Sequence, residues 1–372
     1  MRGYGRIDLK HLQNNTLQIG GLYYKLFEDL KRNRSMSDDR TLNRRTLMLG
    51  ASLAAASYAT ACAQGPGSSE ALAADAVDLT GLSILITGCS SGFGRLGAEH
   101  YARLGAKVFA TMRNLPRPEA VELEALAKKD ELDISIFEID VTKDEQVKAG
   151  VEAALKAANG KLDVLINNAG MSIAGPIEAQ DMIATQLIFD TNVFGAQRMN
   201  KAVLPSMRAN GSGYVFNISS QLGRIIIPGF GQYSPTKFAL DAMSEQLAYE
   251  VAPHGIDVTI IQPGGYPTKI WFNQNAPSAQ LKTRLSKDII DAYPHYTQGM
   301  GKREAGGGKA DPMDIPRAIA GAIATPKDAR PLRIALHPVA RPQDAINKVS
   351  AKMQIAVLGD SPVGSIVKGV LD

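Results

Sequence analysis

From residue 82 onward, short apolar runs alternate with longer stretches in which apolar positions recur every three or four residues. The runs are LSILIT (82–87), KVFAT (107–111), ISIFEID (134–140), LDVLIN (162–167), GYVFNIS (213–219), IDVTIIQ (256–262) and LRIAL (332–336). Most are near-continuous in Val, Ile and Leu, the composition of strands covered on both faces. The periodic stretches predict helices over 93–104, 118–130, 143–159, 181–209, 232–252 and 313–323. Thr142 followed by Glu145 reads as a capping box opening the third of them. Strand–helix repetition of this kind predicts an α/β fold: a doubly wound, mostly parallel seven-stranded sheet with helices on both faces.

The 372 residues are 45% hydrophobic and 21% charged, enough to bury a large core. The net charge of +4 is unevenly spread: residues 1–50 hold ten Lys/Arg and five Asp/Glu, a local +5. The remainder is close to neutral, so the basic balance does not argue for nucleic-acid binding. Two cysteines, Cys62 and Cys89, make no disulfide framework. No run of about 18 apolar residues marks a membrane span in the main body.

The N-terminal 64 residues read as an extension carrying an export signal. Arg44-Arg45 precede an uncharged stretch, 46–61, rich in Ala, Ser and Gly. Basic region, apolar region and small-residue cleavage site follow in that order, and the arginine pair resembles a twin-arginine signal. Ala59-Thr60-Ala61 or Ala61-Cys62-Ala63 supplies the cleavage site, and the expected location is periplasmic. Cys62 keeps lipid attachment open, although Ala59 three residues before it is a poor match for that signal. An ordinary helix, with a cytoplasmic protein, is the competing reading. Residues 65–79 form a linker, 80–340 the folded domain and 341–372 a C-terminal tail.

TGCSSGFGR (87–95) follows the first strand and opens a helix. Backbone N–H groups at such a helix start form an anion site, and glycines let a pyrophosphate approach them. The spacing is G-x-x-x-G-x-G rather than the general fingerprint, so an idle glycine turn also fits. About 20 residues on, a dinucleotide fold places the residue that meets the adenosine ribose. There the chain reads Ala110-Thr111-Met112-Arg113-Asn114, with no carboxylate. Arg113 offers a forked cation to a 2′-phosphate, which favours NADP over NAD. Arg95 either joins it or faces solvent.

Tyr233-Ser-Pro-Thr-Lys237 opens the fifth helix, and a spacing of four puts Tyr233 and Lys237 on one face. Pro235 suits the first turn. A nearby ammonium favours the phenolate, so Lys237 is expected to lower the phenol from its free value of about 10. A tyrosine so tuned exchanges a proton with an alcohol oxygen. Asn217-Ile-Ser219-Ser220, Asn167-Asn168-Ala169-Gly170 and Pro263-Gly264-Gly265 fall at the ends of the fifth, fourth and sixth strands, and Thr191-Asn192-Val193 lies in the long helix between. Ligands of open parallel sheets bind at those strand ends.

TGCSSGFG, NNAG, TNVFG, ISS, YSPTK and PGG in this order resemble the short-chain dehydrogenase/reductase family, in its compact single-domain, Rossmann-type branch. The resemblance is close over about 80–270 and looser to about 340. It implies that Tyr233 is the general acid/base and that Lys237 tunes it and holds the nicotinamide ribose. It implies that Ser220, rather than Ser219, binds the substrate oxygen, and that Asn192 supports a water in a proton relay. Gly88, Ser90, Ser91, Gly92, Phe93 and Gly94 would line the phosphates. Asp140 and Val141 would meet the adenine, Asn168, Ala169 and Gly170 the adenosine side, and Pro263, Gly264 and Thr268 the nicotinamide. The implied reaction is hydride transfer between NADP(H) and an alcohol or carbonyl carbon. Structural readings stand beside these: Asn167 tying strands, Asp140 capping a helix, Phe93 and Cys89 packing.

The segment 265–312 is long enough for a substrate loop. Its Trp271, Phe272, Tyr293 and Tyr296 either wall an apolar pocket or pack locally. By analogy the substrate is a lipophilic alcohol, ketone or aldehyde. Helices 181–209 and 232–252 form a dimer interface in the family, so a homodimer or homotetramer is expected. Two other classes fit parts of the pattern: a cofactor-binding sensor or scaffold without turnover, and an epimerase or dehydratase of the same family.

Overall fold

The computed structural model describes residues 77–304 and 306–371. The export-signal segment, Cys62 and most of the linker lie outside the described residues. The strands are β1 (Ser83–Ile86), β2 (Lys107–Met112), β3 (Ile134–Glu138), β4 (Val164–Asn167), β5 (Gly213–Ile218), β6 (Ile256–Pro263) and β7 (Arg333–Leu336). They form one parallel sheet in the order β3-β2-β1-β4-β5-β6-β7. Each matches its apolar run to within two residues. The longer helices are α1 (Gly92–Arg103), α2 (Pro118–Lys129), α3 (Asp144–Ala157), α4 (Met182–Phe189), α5 (Gly195–Asn210) and α6 (Tyr233–Val251). Four short ones follow β6: α7 (Ile270–Asn273), α8 (Asn275–Thr283), α9 (Lys287–Ala292) and α10 (Pro294–Thr297). The chain closes with α11 (Asp314–Ala324), α12 (Gln343–Leu358) and α13 (Gly364–Leu371). No helix among the described residues is long and apolar enough to cross a membrane.

Successive side chains of a strand point to opposite faces. Ile84 and Ile86 join a core with Tyr101 of α1 and Ile315 and Ile319 of α11. Leu85 between them joins a second core with Val147 and Val151 of α3 and Met199 and Val203 of α5. Two buried faces explain why the strands read as unbroken apolar runs. Strand order reverses between β1 and β4, which pair Ile84 with Val164 and Ile86 with Ile166. The crevice at that reversal is where a doubly wound sheet binds its ligand.

Three local expectations change. The capping box does not form: α3 starts at Asp144 after Lys143, without a side-chain cap. Asp140 Oδ1 instead accepts both the Thr142 N–H (3.0 Å) and the Thr142 hydroxyl (2.8 Å), a local turn that competes with capping. The predicted 181–209 helix is interrupted by a π turn over Asp190–Phe194, between α4 and α5. Residues 341–372, read as a tail, contain α12 and α13.

Candidate active site

Thr87 ends β1 and fastens two loops together. Its hydroxyl oxygen accepts the N–H groups of Asn168 (3.0 Å) and Ala169 (2.9 Å), just beyond β4. Asn168 Nδ2 donates back to the Thr87 carbonyl at 2.7 Å and reaches the Gly88 carbonyl at 3.3 Å. Gly88 has φ +74°, and a Cβ there would stand 3.0 Å from the Ala169 Cα. A Cβ on Gly94 would stand 2.4 Å from Asn168 Nδ2 and 2.5 Å from the Gly88 oxygen. The first turn of α1 thus rests directly on the loop, leaving bare backbone at the start of a 12-residue helix. That surface fits a pyrophosphate. Thr268, beyond β6, lies over Gly92, with its Cβ 3.5 Å from where a side chain would begin.

A cleft of about 750 Å³ extends from this cradle along the strand ends. Every residue singled out from the sequence for cofactor or catalysis lines it except Gly94, beneath the loop, and Asn192. Ser90, Ser91 and Phe93 are on its wall, and the Phe93 ring also packs edge-on against Tyr266 at 5.6 Å. Cys89 is buried and its Sγ donates to the Ile86 carbonyl at 3.3 Å. Burial pushes its thiol up to about 12, as befits a packing residue.

Arg113 is exposed at the rim and makes no ion pair among the described residues. Arg117 lines the same rim, which the sequence reading did not anticipate; its Nε is held by Glu119 at 2.9 Å. Arg95 turns away to Glu99 and to the Glu119 carbonyl (3.2 Å). Asp140 and Val141 form the wall past β3. Asn167 has the structural part: its Nδ2 donates to Asn200 Oδ1 and Asn217 Oδ1, each at 2.8 Å, joining β4, α5 and β5.

Ser220, Tyr233 and Lys237 converge at the other end of the cleft. The two serines divide by direction. Both line the cleft, but the Ser219 hydroxyl donates to the Lys237 carbonyl at 3.4 Å, whereas the Ser220 oxygen accepts the Leu222 N–H at 3.1 Å and keeps its own proton to give. Lys237 Nζ donates to the Ile218 carbonyl at 2.8 Å and lies 5.6 Å from the Tyr233 ring centre. The expected lowering of the phenol is not what this arrangement does. Burial pushes Tyr233 up to about 12, against a smaller lowering by the Ser220 hydroxyl. The ammonium is itself pulled down to about 8 by burial, so its charge is a weak counterweight.

A residue unnoticed in the sequence opposes that loss of charge. Asp241 is one turn beyond Lys237, buried, and held by Gln262 Nε2 (2.6 Å) and Arg224 Nε (3.2 Å). Its carboxylate favours the ammonium. The spacing Tyr233, Lys237, Asp241 on one helix face carried the signal.

The lysine gives a test on stability. Its free value is 10.5, so between about pH 8 and 10.5 the unfolded chain holds a proton that the folded chain has released. Stability therefore rises with pH across that window, by up to about 1.4 kcal/mol per pH unit from this group. Urea melts of wild type and Lys237→Met should diverge in favour of wild type as pH is raised. A pH-independent difference would refute the depressed lysine.

Asn192 sits in the π turn, buried behind the backbone of Met171. Its Oδ1 accepts the Met171 N–H (2.8 Å), and its Nδ2 donates to the Met171 carbonyl (2.9 Å) and Thr236 Oγ1 (3.0 Å). It approaches Lys237 only across Gly170, where a Cβ would stand 3.4 Å from Asn192 Oδ1 and 3.7 Å from Lys237 Nζ. Of the four loop aromatics, Trp271 and Phe272 line the cleft. Tyr293 and Tyr296 do not: the first hydrogen-bonds Glu178 and the second packs over Gly229. Phe230, outside the predicted loop, completes the wall, edge-on to Trp271 at 6.1 Å and 6.4 Å from Tyr233.

A phosphate cradle at the switch point of a parallel sheet, facing a half-buried tyrosine and a buried lysine, defines a dinucleotide-binding oxidoreductase. A sequence model of the short chain dehydrogenases matches residues 83–279, and the chain belongs to that family. It is an NAD(P)-dependent oxidoreductase acting on CH–OH groups. It is 38% identical over 224 residues to 3-ketodihydrosphingosine reductase of Bacteroides thetaiotaomicron, covering 60% of this chain and 77% of that protein. It is 37% identical over 193 residues to retinol dehydrogenase 8 of Homo sapiens, covering 50% and 60% respectively. A short-chain dehydrogenase structure from Streptomyces avermitilis superposes with a TM-score of 0.56 at 33% identity, over 73% of this chain and 96% of that one.

Proposed function

We propose that the protein interconverts a carbonyl and an alcohol on a lipophilic substrate, with NADP as cofactor and Tyr233 as general acid/base. The observation that carries this reading is the meeting of Ser220, Tyr233 and Lys237 in the cleft that holds the glycine cradle. Nicotinamide seated by Pro263, Gly264 and Thr268 would supply or accept the hydride at the substrate carbon. The Ser220 hydroxyl orients the substrate oxygen. In reduction Tyr233 Oη gives its proton to that oxygen; in oxidation it takes one. A phenol raised to about 12 is protonated at neutral pH, the form that reduction requires. Lys237 stabilises the phenolate left behind, and Asn192, across Gly170, lies on the route by which the proton is replaced.

Arg113 supports NADP: an exposed guanidinium without an ion pair among the described residues, at the strand end where an NAD enzyme carries a carboxylate. The apolar wall of Leu222, Ile227, Phe230 and Trp271 supports a lipophilic substrate, as do the sphingoid and retinoid names of the two relatives. One set of assays tests both. A carbonyl series of increasing chain length should show kcat/KM rising severalfold per methylene while the chain lies in the cleft. A flat series removes the lipophilic reading. Trp271 is the only tryptophan of the chain and reports binding by its fluorescence. Arg113→Ala should weaken NADP roughly 10- to 100-fold, the worth of a charge-assisted hydrogen bond, and leave NAD unchanged. Equal weakening of both cofactors would remove Arg113 from the 2′-phosphate.

A further inference from the structure

The helix α12 is amphipathic in the reverse sense. Its amide side chains face the domain. Gln343 Nε2 donates to the Gln262 carbonyl at 3.0 Å, Asn347 Nδ2 donates to Gln262 Oε1 at 2.7 Å, and Gln354 Nε2 donates to Glu245. Its apolar side chains face out: Ile346, Val349, Met353 and Val357 are 38%, 63%, 53% and 57% exposed. Offsets of three, four and four make these one stripe along the helix. The inward hydrogen bonds fix the rotation of α12, since turning the stripe inward would break all three. Val339 before the helix and Val363 after it are also exposed. An exposed stripe of about 16 Å, from Ile346 to Val357, marks an interaction surface.

Charge selects the partner. Lys348 and Lys352 lie on the exposed side, one turn apart, and neither forms an ion pair among the described residues. The other exposed positions of α12 are Ala345 and Ala356, and none is acidic. Asp344, at the start, is paired with Arg341 at 3.3 Å. Asp360, just past the end, is exposed and lies 3.7 Å from Lys368. A two-fold contact with a second copy would set this stripe and its two ammonium groups against themselves, with no carboxylate among the exposed positions of α12 between them. An anionic lipid surface complements both the stripe and the lysines.

We infer that α12 is an interfacial helix, which lays the domain on anionic phospholipid by its Ile346–Val357 stripe with Lys348 and Lys352 at the headgroups. The test is co-sedimentation of the full chain with vesicles of phosphatidylcholine and phosphatidylglycerol in about a two-to-one ratio, and with phosphatidylcholine alone. Wild type should bind the anionic vesicles, bind pure phosphatidylcholine weakly, and release as salt is raised. Val349→Asp/Met353→Asp should lose at least about tenfold in binding, and Lys348→Glu/Lys352→Glu at least about fivefold for each lysine lost. Both variants should keep turnover and solution mass. The basic N-terminal segment is the same in all three proteins, so vesicle binding that survives in the variants overturns the proposal. So does a wild type that fails to bind. A fall in solution mass in either variant also overturns it, because α12 would then be a contact between copies.

Discussion

Tyr233→Phe should reduce turnover by at least about a thousandfold, the upper range of what one positioned acid/base contributes. The substitution removes a single oxygen. The ring keeps its place 6.4 Å from Phe230 and 5.6 Å from Lys237 Nζ, and the cradle from Gly88 to Gly94 is untouched. Cofactor affinity, read from Trp271 fluorescence, should therefore stay within about twofold of wild type. A kcat that falls while cofactor binding holds is the signature of a group acting on the reacting atoms. Loss of both together would mean that the phenol is structural, and retained turnover would move the acid/base role elsewhere. Ser220→Ala should fall less, because a proton still reaches the substrate from Tyr233 when its orienting hydroxyl is gone.

The fold was legible because its signal is cumulative. Seven apolar runs, each confined to a strand buried on two faces, place the elements without any knowledge of loops. The candidate site could be placed from the sequence where its geometry is local. Tyr233 and Lys237 share a helix face by spacing, and the cradle glycines stand where strand becomes helix. What depended on three-dimensional surroundings was less legible. The ammonium near Tyr233 suggested a lowered phenol, but the balance between charge and burial depends on how deeply both groups are covered, on the Ser220 hydroxyl beside the phenol and on Asp241 beside the lysine. The Thr142–Glu145 pattern was a fair helix start until Asp140, two residues earlier, took the threonine. Trp271 and Tyr293 were indistinguishable in one loop, although only the first turned to the cleft. Residues 341–372 read as a tail, so the stripe on α12 carried no signal in the sequence; even an apolar periodicity gives only the face of a helix and not the direction in which the domain holds it.

Gly94→Ala should be the most damaging small change in the cradle. The added carbon has no open side: Asn168 Nδ2 would stand at 2.4 Å and the Gly88 carbonyl oxygen at 2.5 Å. Neither can simply swing away. The Gly88 oxygen is backbone, and Asn168 Nδ2 is held by the Thr87 carbonyl at 2.7 Å. Relief requires α1 to move off the loop, which opens the N–H surface that the pyrophosphate needs and loosens the Thr87 bridge between β1 and β4. Overpacking of this kind costs about 1–3 kcal/mol, a fall in Tm of roughly 2–5 °C for a domain of this size. Cofactor affinity should fall further than stability, by about a hundredfold or more, since the displaced backbone is itself the binding surface. Gly92→Ala is the comparison. Its φ of +57° makes an alanine strained, but the nearest atom would be Thr268 Cβ at 3.5 Å, an ordinary contact. That variant should lose a similar or smaller amount of stability while binding cofactor far better than Gly94→Ala. Calorimetry with and without NADP separates the two effects, and a Gly94→Ala protein stabilised by NADP as strongly as wild type would show that the cofactor does not rest on this turn.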